Sequence, residues 1–170
     1  VNDANGKKFT ENWYYVYQPT NTSIGNFVVG SEDDLKAMTV AAHAHGIRII
    51  VDVVANHFTA DWNAIDSDWQ KSEYFHARNS CSGSGGDNID YSNRWQVTHC
   101  HLLGLWDLNT ANPEVANRMH DFLKTAVNDG VDGFRFDAGK HVELPNEFDG
   151  SQYWTTILQN GSQYQYGEVL

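Results

Sequence analysis

The sequence lacks any continuous apolar run of the about eighteen residues that a membrane span needs, although 41% of its 170 residues are hydrophobic. Basic residues are scarce, since 11 lysines and arginines stand against 22 acidic residues and give a formal net charge of −11. Such a charge repels nucleic acid and anionic membrane surfaces, so we expect neither as a partner. The composition is instead typical of a soluble globular protein.

Cysteine is also rare. The two that are present, Cys81 and Cys100, flank a Gly/Ser/Asn-rich stretch that a covalent link would stabilise. Two cysteines could equally be unpaired buried thiols of a cytosolic enzyme. The count alone therefore leaves both states open. The chain starts at Val1 without a signal peptide and stops at Leu170, and both ends look cut. We expect an internal fragment of a longer protein.

Helical and extended patterns alternate along the chain. Ser31, followed by Asp34 three residues later, predicts the start of a first helix, and Asn112 with Pro113 predicts the start of a second. The nearly continuous β-branched run at residues 47–55 predicts a strand that is covered on both faces, as in a parallel sheet. Helices are predicted at residues 31–46, 112–130 and within 151–159, and strands at residues 47–55, 131–138 and 164–169.

This order predicts an α/β fold, either an open doubly wound sheet or a closed (β/α)₈ barrel. No Gly-rich phosphate motif follows a strand, which argues against a nucleotide-binding sheet. Polar residues instead end the predicted strands, as Asn56 with His57, Asp137, and Glu168. Barrels carry their chemistry at that end, and a complete one needs about 250 residues. We therefore predict part of a barrel, interrupted by an irregular segment too long for an ordinary connection.

Two carboxylates in this pattern suggest chemistry. Alternation along the strand places Arg135 and Asp137 on one face, with Phe134 and Phe136 on the other. A neighbouring guanidinium favours an ionised carboxylate, as a nucleophile requires, although a purely structural ion pair fits equally well. Glu168 ends the next strand among aromatic and apolar neighbours, which suits a general acid. Two such carboxylates about 5–5.5 Å apart are the machinery of a retaining glycosidase.

Three segments resemble, in order, the first three of the four signature regions of the α-amylase family of glycoside hydrolases. They are residues 52–57 (DVVANH), 133–141 (GFRFDAGKH) and 167–169 (GEV). The resemblance spans essentially the whole chain and implies a partial (β/α)₈ TIM barrel. Residues 1–57 and 106–170 would be barrel, ending at strand five. Residues 58–105 would be a small irregular or β subdomain inserted after strand three.

The resemblance implies retaining endo-hydrolysis of α-1,4-glucosidic bonds in starch or glycogen. Asp137 would be the nucleophile, Glu168 the acid/base, and Arg135 the residue that orients Asp137. The whole enzyme would be a secreted, extracellular monomer acting on α-glucan. The implied substrate-binding residues are Trp13, Tyr14, Tyr17, Gln18, His57, Leu102, Leu105, Arg135, Lys140 and His141.

The resemblance also implies a calcium ion, held by the side chains of Asn56 and Asp107 and the carbonyls of Thr98 and His141. All-oxygen ligation suits Ca²⁺. It implies a Cys81–Cys100 disulfide and leaves chloride dependence open, since Arg135 matches one chloride ligand of the chloride-activated members. Zinc is not predicted, because neither the His43/His45 pair nor the His99/His101 pair has a companion pair at zinc-finger spacing.

Two other functions remain as alternatives. A transglycosylase or maltogenic relative would use the same catalytic residues, but the pair Lys140 and His141 is typical of true hydrolases in the family. A non-catalytic glucan-binding relative would usually lack one carboxylate, whereas Asp137 and Glu168 are both present.

Overall fold

The computed structural model describes residues 16–26 and 28–170. Two of the expected sugar-binding residues, Trp13 and Tyr14, lie outside the described residues. The strands are β1 (Gly25–Asn26), β2 (Gly30–Ser31), β3 (Ile50–Val54), β4 (His57–Phe58), β5 (Trp106–Asp107), β6 (Gly133–Asp137) and β7 (Tyr164–Gly167). The α-helices are α1 (Glu32–Ala44), α2 (Arg94–His99), α3 (Pro113–Asn128) and α4 (Tyr153–Ile157). Single 3₁₀ turns lie at Trp62–Ala64, Ser72–Tyr74, Arg78–Ser80, Leu102–Gly104 and Gly139–His141.

The main sheet is parallel and has the order β3-β6-β7. The three strands are those predicted from the sequence, although each is a few residues shorter than its predicted range. The central strand β6 approaches β7 very closely, since a side chain on Gly133 would collide with the Tyr164 carbonyl. The predicted parallel α/β arrangement is confirmed, and all three strands end at the same edge.

Helix α1 begins as its sequence predicts. The Ser31 hydroxyl accepts a hydrogen bond from the Asp34 backbone N–H, and the Asp34 carboxylate accepts one from the Ser31 backbone N–H. This reciprocal pair is a capping box. The predicted apolar stripe is only partly covered, since Leu35 packs on the core while Met38 is 48% exposed.

Helix α3 covers the sheet with a buried face. Asn112 caps it and Pro113 occupies its first turn, as predicted. The buried residues recur at helical spacing, namely Val115, Ala116, Met119, Leu123 and Ala126. Phe134 and Phe136 of β6 are fully buried in the same core, and the Phe136 ring lies 5.3 Å from that of Trp154 in α4. The alternation predicted for this strand is therefore confirmed.

Residues 58–105 contain mostly turns and the short helix α2. Their aromatic residues pack into one cluster in which the Phe58 ring lies 4.9 Å from Trp69 and 5.8 Å from Phe75. That cluster is continuous with the buried residues of the sheet and of α3. The segment consequently extends the main hydrophobic core. None of the described helices is long and apolar enough to cross a membrane.

Candidate active site

The carboxyl ends of β6 and β7 bring the two expected carboxylates together. Asp137 is the last residue of β6, and Glu168 directly follows β7. The Glu168 backbone N–H donates to the Phe136 carbonyl at 2.9 Å, which continues the strand pairing past the end of β7. Because the strands are parallel, both side chains lie at the edge of the sheet where barrel enzymes place their chemistry.

Arg135 joins these carboxylates through its forked guanidinium. Its Nη1 donates to Asp137 Oδ1 at 2.9 Å, and its Nη2 lies 2.8 Å from Glu168 Oε2. The same Nη1 also donates to both oxygens of Asp52, at 2.7 and 2.9 Å. One cation thus holds three carboxylates, which explains how several negative charges stay close together.

Asp52, in the first of the three signature segments, is a site residue for which the sequence predicted no role. It pairs directly with Arg135 in the β3–β6 register. Tyr17, an expected substrate-binding residue, donates its hydroxyl to Asp52 Oδ2 at 2.9 Å. The acidic residue inside a β-branched run was the available signal, because opposite charges on neighbouring strands stabilise a sheet.

The pKa of Asp137 lies above its ordinary value because burial disfavours the charged form. The hydrogen bond and charge of Arg135 lower it, whereas the charges of Asp52 and Glu168 raise it. Arg135 thus favours the ionised form of Asp137, as expected, but burial and the two neighbouring carboxylates act against it. The expected apolar surroundings of Glu168 are also corrected, because its carboxylate faces Arg135 and the Ala138 backbone N–H.

A tight turn follows Asp137. Ala138 adopts a left-handed conformation with φ 51° and ψ 31°, which is strained for a residue with a Cβ. The turn directs the Ala138 N–H at Glu168 Oε2, 3.3 Å away. The Lys140 N–H donates to the Glu168 carbonyl at 3.2 Å. The turn thereby ties the end of β6 to Glu168.

A cleft of about 230 Å³ opens above these residues. Its lining includes three expected substrate-binding residues, Leu102, Lys140 and His141, together with Asp137 and Glu168. Leu105 is buried and lines no part of this cleft. The Gln18 amide oxygen accepts a hydrogen bond from Thr59 at 3.4 Å. The structure therefore brings some of the expected substrate-binding residues to the carboxylates and places others in supporting positions.

His57 is the first residue of β4 and is buried, and burial lowers its pKa to about 4. A hydrogen bond with the Tyr17 backbone opposes that effect. At neutral pH the imidazole is therefore uncharged and can both donate and accept a hydrogen bond. Such a group suits recognition of a sugar hydroxyl.

The two side chains expected to bind calcium are in contact with each other. Asn56 and Asp107 are both buried, and the Asn56 amide nitrogen donates to Asp107 Oδ1 at 3.2 Å. Burial raises the pKa of Asp107 to about 6, against the lowering effect of His76, whose Nδ1 is 2.7 Å from Asp107 Oδ2. Thr98 and His141 are also buried, and the His141 ring bonds the Val97 carbonyl at 2.8 Å. A buried carboxylate beside an amide fits a hard cation, because the ion would stabilise the charged form.

Arg94 in α2 holds the segment around His141, a role that the sequence did not predict. Its guanidinium pairs with both carboxylate oxygens of Glu147, at 2.8 and 2.9 Å. It also donates to the carbonyls of Lys140 and Val142, the residues on either side of His141. No sequence motif could have shown this, because the partners are 46 to 53 positions away.

A disulfide joins Cys81 and Cys100, as the resemblance implies, with their Cα atoms 5.7 Å apart. Cys100 directly follows α2. The bond therefore links the Gly/Ser-rich loop to the helix that carries Arg94 and Thr98.

Comparison with known proteins agrees with this geometry. The sequence model of the family described as alpha amylase, catalytic domain, matches residues 17–166. An alpha-amylase of Clostridium acetobutylicum is 35% identical over 176 residues, covering 95% of this chain and 22% of that protein. An alpha-amylase of Butyrivibrio fibrisolvens is also 35% identical, covering 83% of this chain and 14% of that protein. The chain thus spans less than a quarter of the length of these two relatives.

Solved structures show the same fold. An alpha-amylase from Malbranchea cinnamomea superimposes with a TM-score of 0.74 at 28% identity, covering 99% of this chain and 34% of that one. Alpha-amylase I from Eisenia fetida, solved in complex with maltohexaose, gives a TM-score of 0.79 at 28% identity, covering 93% of this chain and 36% of that one. The carboxylates at the strand ends, the match to the catalytic domain and these structures lead to one conclusion: the chain belongs to the alpha-amylase family of glycoside hydrolases, whose catalytic domain is a (β/α)₈ barrel.

Proposed function

We propose that the enzyme carrying this chain hydrolyses internal α-1,4-glucosidic bonds of starch-type or glycogen-type glucans with retention of configuration. The observation that carries the proposal is the pair of carboxylates, Asp137 and Glu168, held by the two terminal nitrogens of one guanidinium. The shared guanidinium brings the two carboxylates to one side of the cleft, as the paired carboxyl groups of a glycoside hydrolase require. Retention is part of the proposal and is tested by the anomer that the enzyme releases.

In the proposed mechanism Asp137 attacks the anomeric carbon and forms a covalent glycosyl–enzyme intermediate. Glu168 gives its proton to the departing glycosidic oxygen and then removes a proton from the water that releases the sugar. Arg135 keeps Asp137 oriented and opposes the effect of burial on its pKa. The carboxylate of Glu168 lies at the same cleft and must be protonated before the first step.

Residues around the two carboxylates would bind the neighbouring sugar units. Lys140 and His141 line the cleft beside the carboxylates, and Leu102 offers an apolar surface to a sugar ring. Tyr17 reaches the same group of charges through Asp52, so its ring lies near the proposed point of cleavage. The maltohexaose bound to the Eisenia fetida relative supports a glucan as the substrate class. We further propose that the whole enzyme is extracellular and monomeric.

Calcium is the proposed metal, held by the Asn56 and Asp107 side chains and the carbonyls of Thr98 and His141. When bound, it would supply positive charge to the buried Asp107 and tie the segment of α2 to the barrel. Removal of Ca²⁺ with a chelator should lower the melting temperature, and added Ca²⁺ should restore it. Asp107→Asn should remove most of this response. An equal calcium response in wild type and Asp107→Asn would rule out the assigned ligand set.

The catalytic assignment is tested in the intact enzyme with Glu168→Gln and Asp137→Asn. Glu168→Gln should lower kcat on starch by about 10²–10⁴-fold, the usual contribution of a general acid. Asp137→Asn should remove hydrolysis while leaving binding to insoluble starch. Asp121→Asn on the exposed face of α3 is the matched control and should keep wild-type activity. Substantial hydrolysis by Asp137→Asn would exclude it as the nucleophile.

Product analysis separates the hydrolase from a transglycosylase with the same residues. Cyclomaltodextrin glucanotransferases share the fold at 22% and 20% identity, which shows the architecture alone. We expect short linear maltooligosaccharides whose new reducing ends are initially α-anomers. Cyclic or transfer products as the main output would favour a transglycosylase. Newly formed β-anomers would exclude the retaining mechanism.

A further inference from the structure

Three potential metal ligands meet outside the catalytic cleft, from segments that are far apart in the sequence. His76 follows the 3₁₀ turn Ser72–Tyr74, His99 ends α2, and Asp149 lies in the segment between β6 and α4. One ligand atom from each lies within 4.8 Å of the others. His99 is buried, His76 is half-buried, and Asp149 is 55% exposed. The cluster therefore has a buried base and an opening to solvent.

The hydrogen bonds of His76 leave a ligand atom free to face this cluster. Its Nδ1 lies 2.7 Å from Asp107 Oδ2, and an ionised carboxylate can only accept, so Nδ1 carries the proton. In the neutral imidazole Nε2 then has a lone pair. That Nε2 is buried and has no hydrogen-bond partner within the part of the chain that the structure describes. A carboxylate that fixes the tautomer of a histidine in this way is the usual outer support of a metal-bound imidazole.

His99 directs its second ring nitrogen at the third member of the cluster. Its Nδ1 lies 2.8 Å from the Thr98 hydroxyl and 3.1 Å from the Trp95 carbonyl. Its Nε2 lies 3.3 Å from Asp149 Oδ2. The tautomer with the proton on Nδ1 donates to the Trp95 carbonyl and leaves the Nε2 lone pair for a cation that Asp149 would also bind. The stacked Trp95 ring, 4.6 Å away, holds the imidazole in this orientation.

We propose that His76, His99 and Asp149 form a binding site for a divalent cation of the zinc type, with water in the remaining position. Two imidazole nitrogens and one carboxylate suit zinc, whereas the oxygen ligands proposed for calcium do not include these atoms. The ligands of tetrahedral zinc lie about 3.3 Å apart for bonds of 2.0–2.1 Å. The ion would therefore draw the three groups inward, and the exposed Asp149 is the ligand with most freedom to move.

The three ligands are far apart in the sequence, so their spacing did not predict a zinc site. Zinc-finger spacing requires paired ligands that are close in sequence, whereas these ligands come from positions 76, 99 and 149. Zinc bound here would connect the end of α2 to the segment that follows the catalytic strand. It would also act on Asp107 through His76, so the zinc and calcium sites would share one hydrogen bond.

The test uses the intact enzyme in excess Ca²⁺, so that oxygen sites are filled before zinc is added. Zinc affinity is measured by equilibrium dialysis, and Co²⁺ serves as a coloured probe whose visible absorption reports nitrogen ligation. Asp149→Asn and His99→Gln remove one ligand each. Asp121→Asn is the matched control, because Asp121 is also an exposed aspartate beside a histidine, 3.5 Å from His120.

Wild type and Asp121→Asn should bind one equivalent of zinc. Asp149→Asn and His99→Gln should bind it at least about tenfold more weakly. Zinc should raise the melting temperature of the first two proteins only. The proposal is overturned if wild type binds no zinc in excess Ca²⁺, or if Asp149→Asn binds it as tightly as wild type. Asp149 is exposed, so its variant should fold even if His99→Gln does not. None of these measurements depends on glucan hydrolysis.

Discussion

At the scale of single residues, Arg135 decides how the active site is charged. Its guanidinium binds Asp52, Asp137 and Glu168 at once. These bonds raise the pKa of the arginine, so it stays charged at any pH at which the protein is folded. Without that cation, three carboxylates at the same strand ends would repel one another.

Arg135→Lys therefore should keep the charge and lose the geometry. A lysine ammonium is a single point that cannot reach carboxylates on both sides of the strand. We expect kcat on starch to fall at least about a hundredfold, because a small displacement of the reacting groups has that effect. Arg118→Lys, whose guanidinium lies over the Trp69 ring outside the cleft, should retain activity. A near-normal kcat in Arg135→Lys would show that activity does not need the simultaneous contacts of the guanidinium with the carboxylates.

Asp132 has a comparable structural role at the opposite end of the strands. It accepts hydrogen bonds from the Ile49 backbone N–H, His43 Nε2 and Arg48 Nη1, each at 2.8 Å. These bonds lower its pKa from 3.8 to about 2, and the bond from the Ile49 backbone N–H has the largest effect. The carboxylate thereby joins α1, β3 and β6 where the strands begin.

The contribution of Asp132 to stability depends on pH, because its pKa is lower in the folded state than in the unfolded chain. A carboxyl group with a lowered pKa in the folded state stabilises the protein above its ordinary value, and that stabilisation is lost as the pH falls from about 4 to about 2. Asp132→Asn should therefore lower the melting temperature near neutral pH. The difference from wild type should shrink below about pH 4. A difference of the same size at about pH 3 and at about pH 7 would refute this assignment.

At the scale of elements, α2 positions the segment that carries His141. Arg94 holds the carbonyls on both sides of His141, and Val97 holds its ring. The disulfide fixes the end of the same helix. This short helix has few residues of its own to stabilise it, so its contacts with the following segments maintain it.

Arg94→Lys should weaken calcium binding more than it weakens the fold. Lysine cannot donate to Glu147 and both carbonyls together, so the His141 carbonyl would lose its fixed position. We expect calcium affinity to fall about tenfold, as for other residues that support metal ligands. The calcium dependence of the melting temperature measures this, with Arg118→Lys as control. Unchanged calcium affinity would show that α2 does not position His141.

At the scale of the whole molecule, the sheet has two open edges within residues 16–26 and 28–170. Strands β3 and β7 each pair with β6 on one side only. Large apolar side chains are exposed beside them, including Ile47, Ile50, Tyr164 and Tyr166. Open strand edges with exposed apolar groups pair readily with other chains.

A polypeptide restricted to residues 1–170 should therefore self-associate and hydrolyse no starch. The net charge of −11 slows association but leaves the edges uncovered. Light scattering after size exclusion gives the mass, and a reducing-sugar assay gives the activity. The intact enzyme is the control. A monomeric, active preparation of this polypeptide would contradict the expectation.

Features that depend on neighbouring residues were determined by the sequence alone. The capping box at Ser31, the start of α3 at Pro113 and the alternation of β6 all require only local geometry. The order of the three motifs likewise predicted that Asp137 and Glu168 end adjacent strands. These predictions are confirmed because parallel strands bring their carboxyl ends to one edge.

Tertiary structure decided the rest, because it depends on contacts between distant segments and on burial. The link from Asp52 to Arg135 spans 83 positions, and the metal cluster joins positions 76, 99 and 149. The direction of the Asp137 pKa follows from how deeply the carboxylate is buried. Sequence neighbours cannot report burial, since the atoms that exclude water come from other parts of the chain.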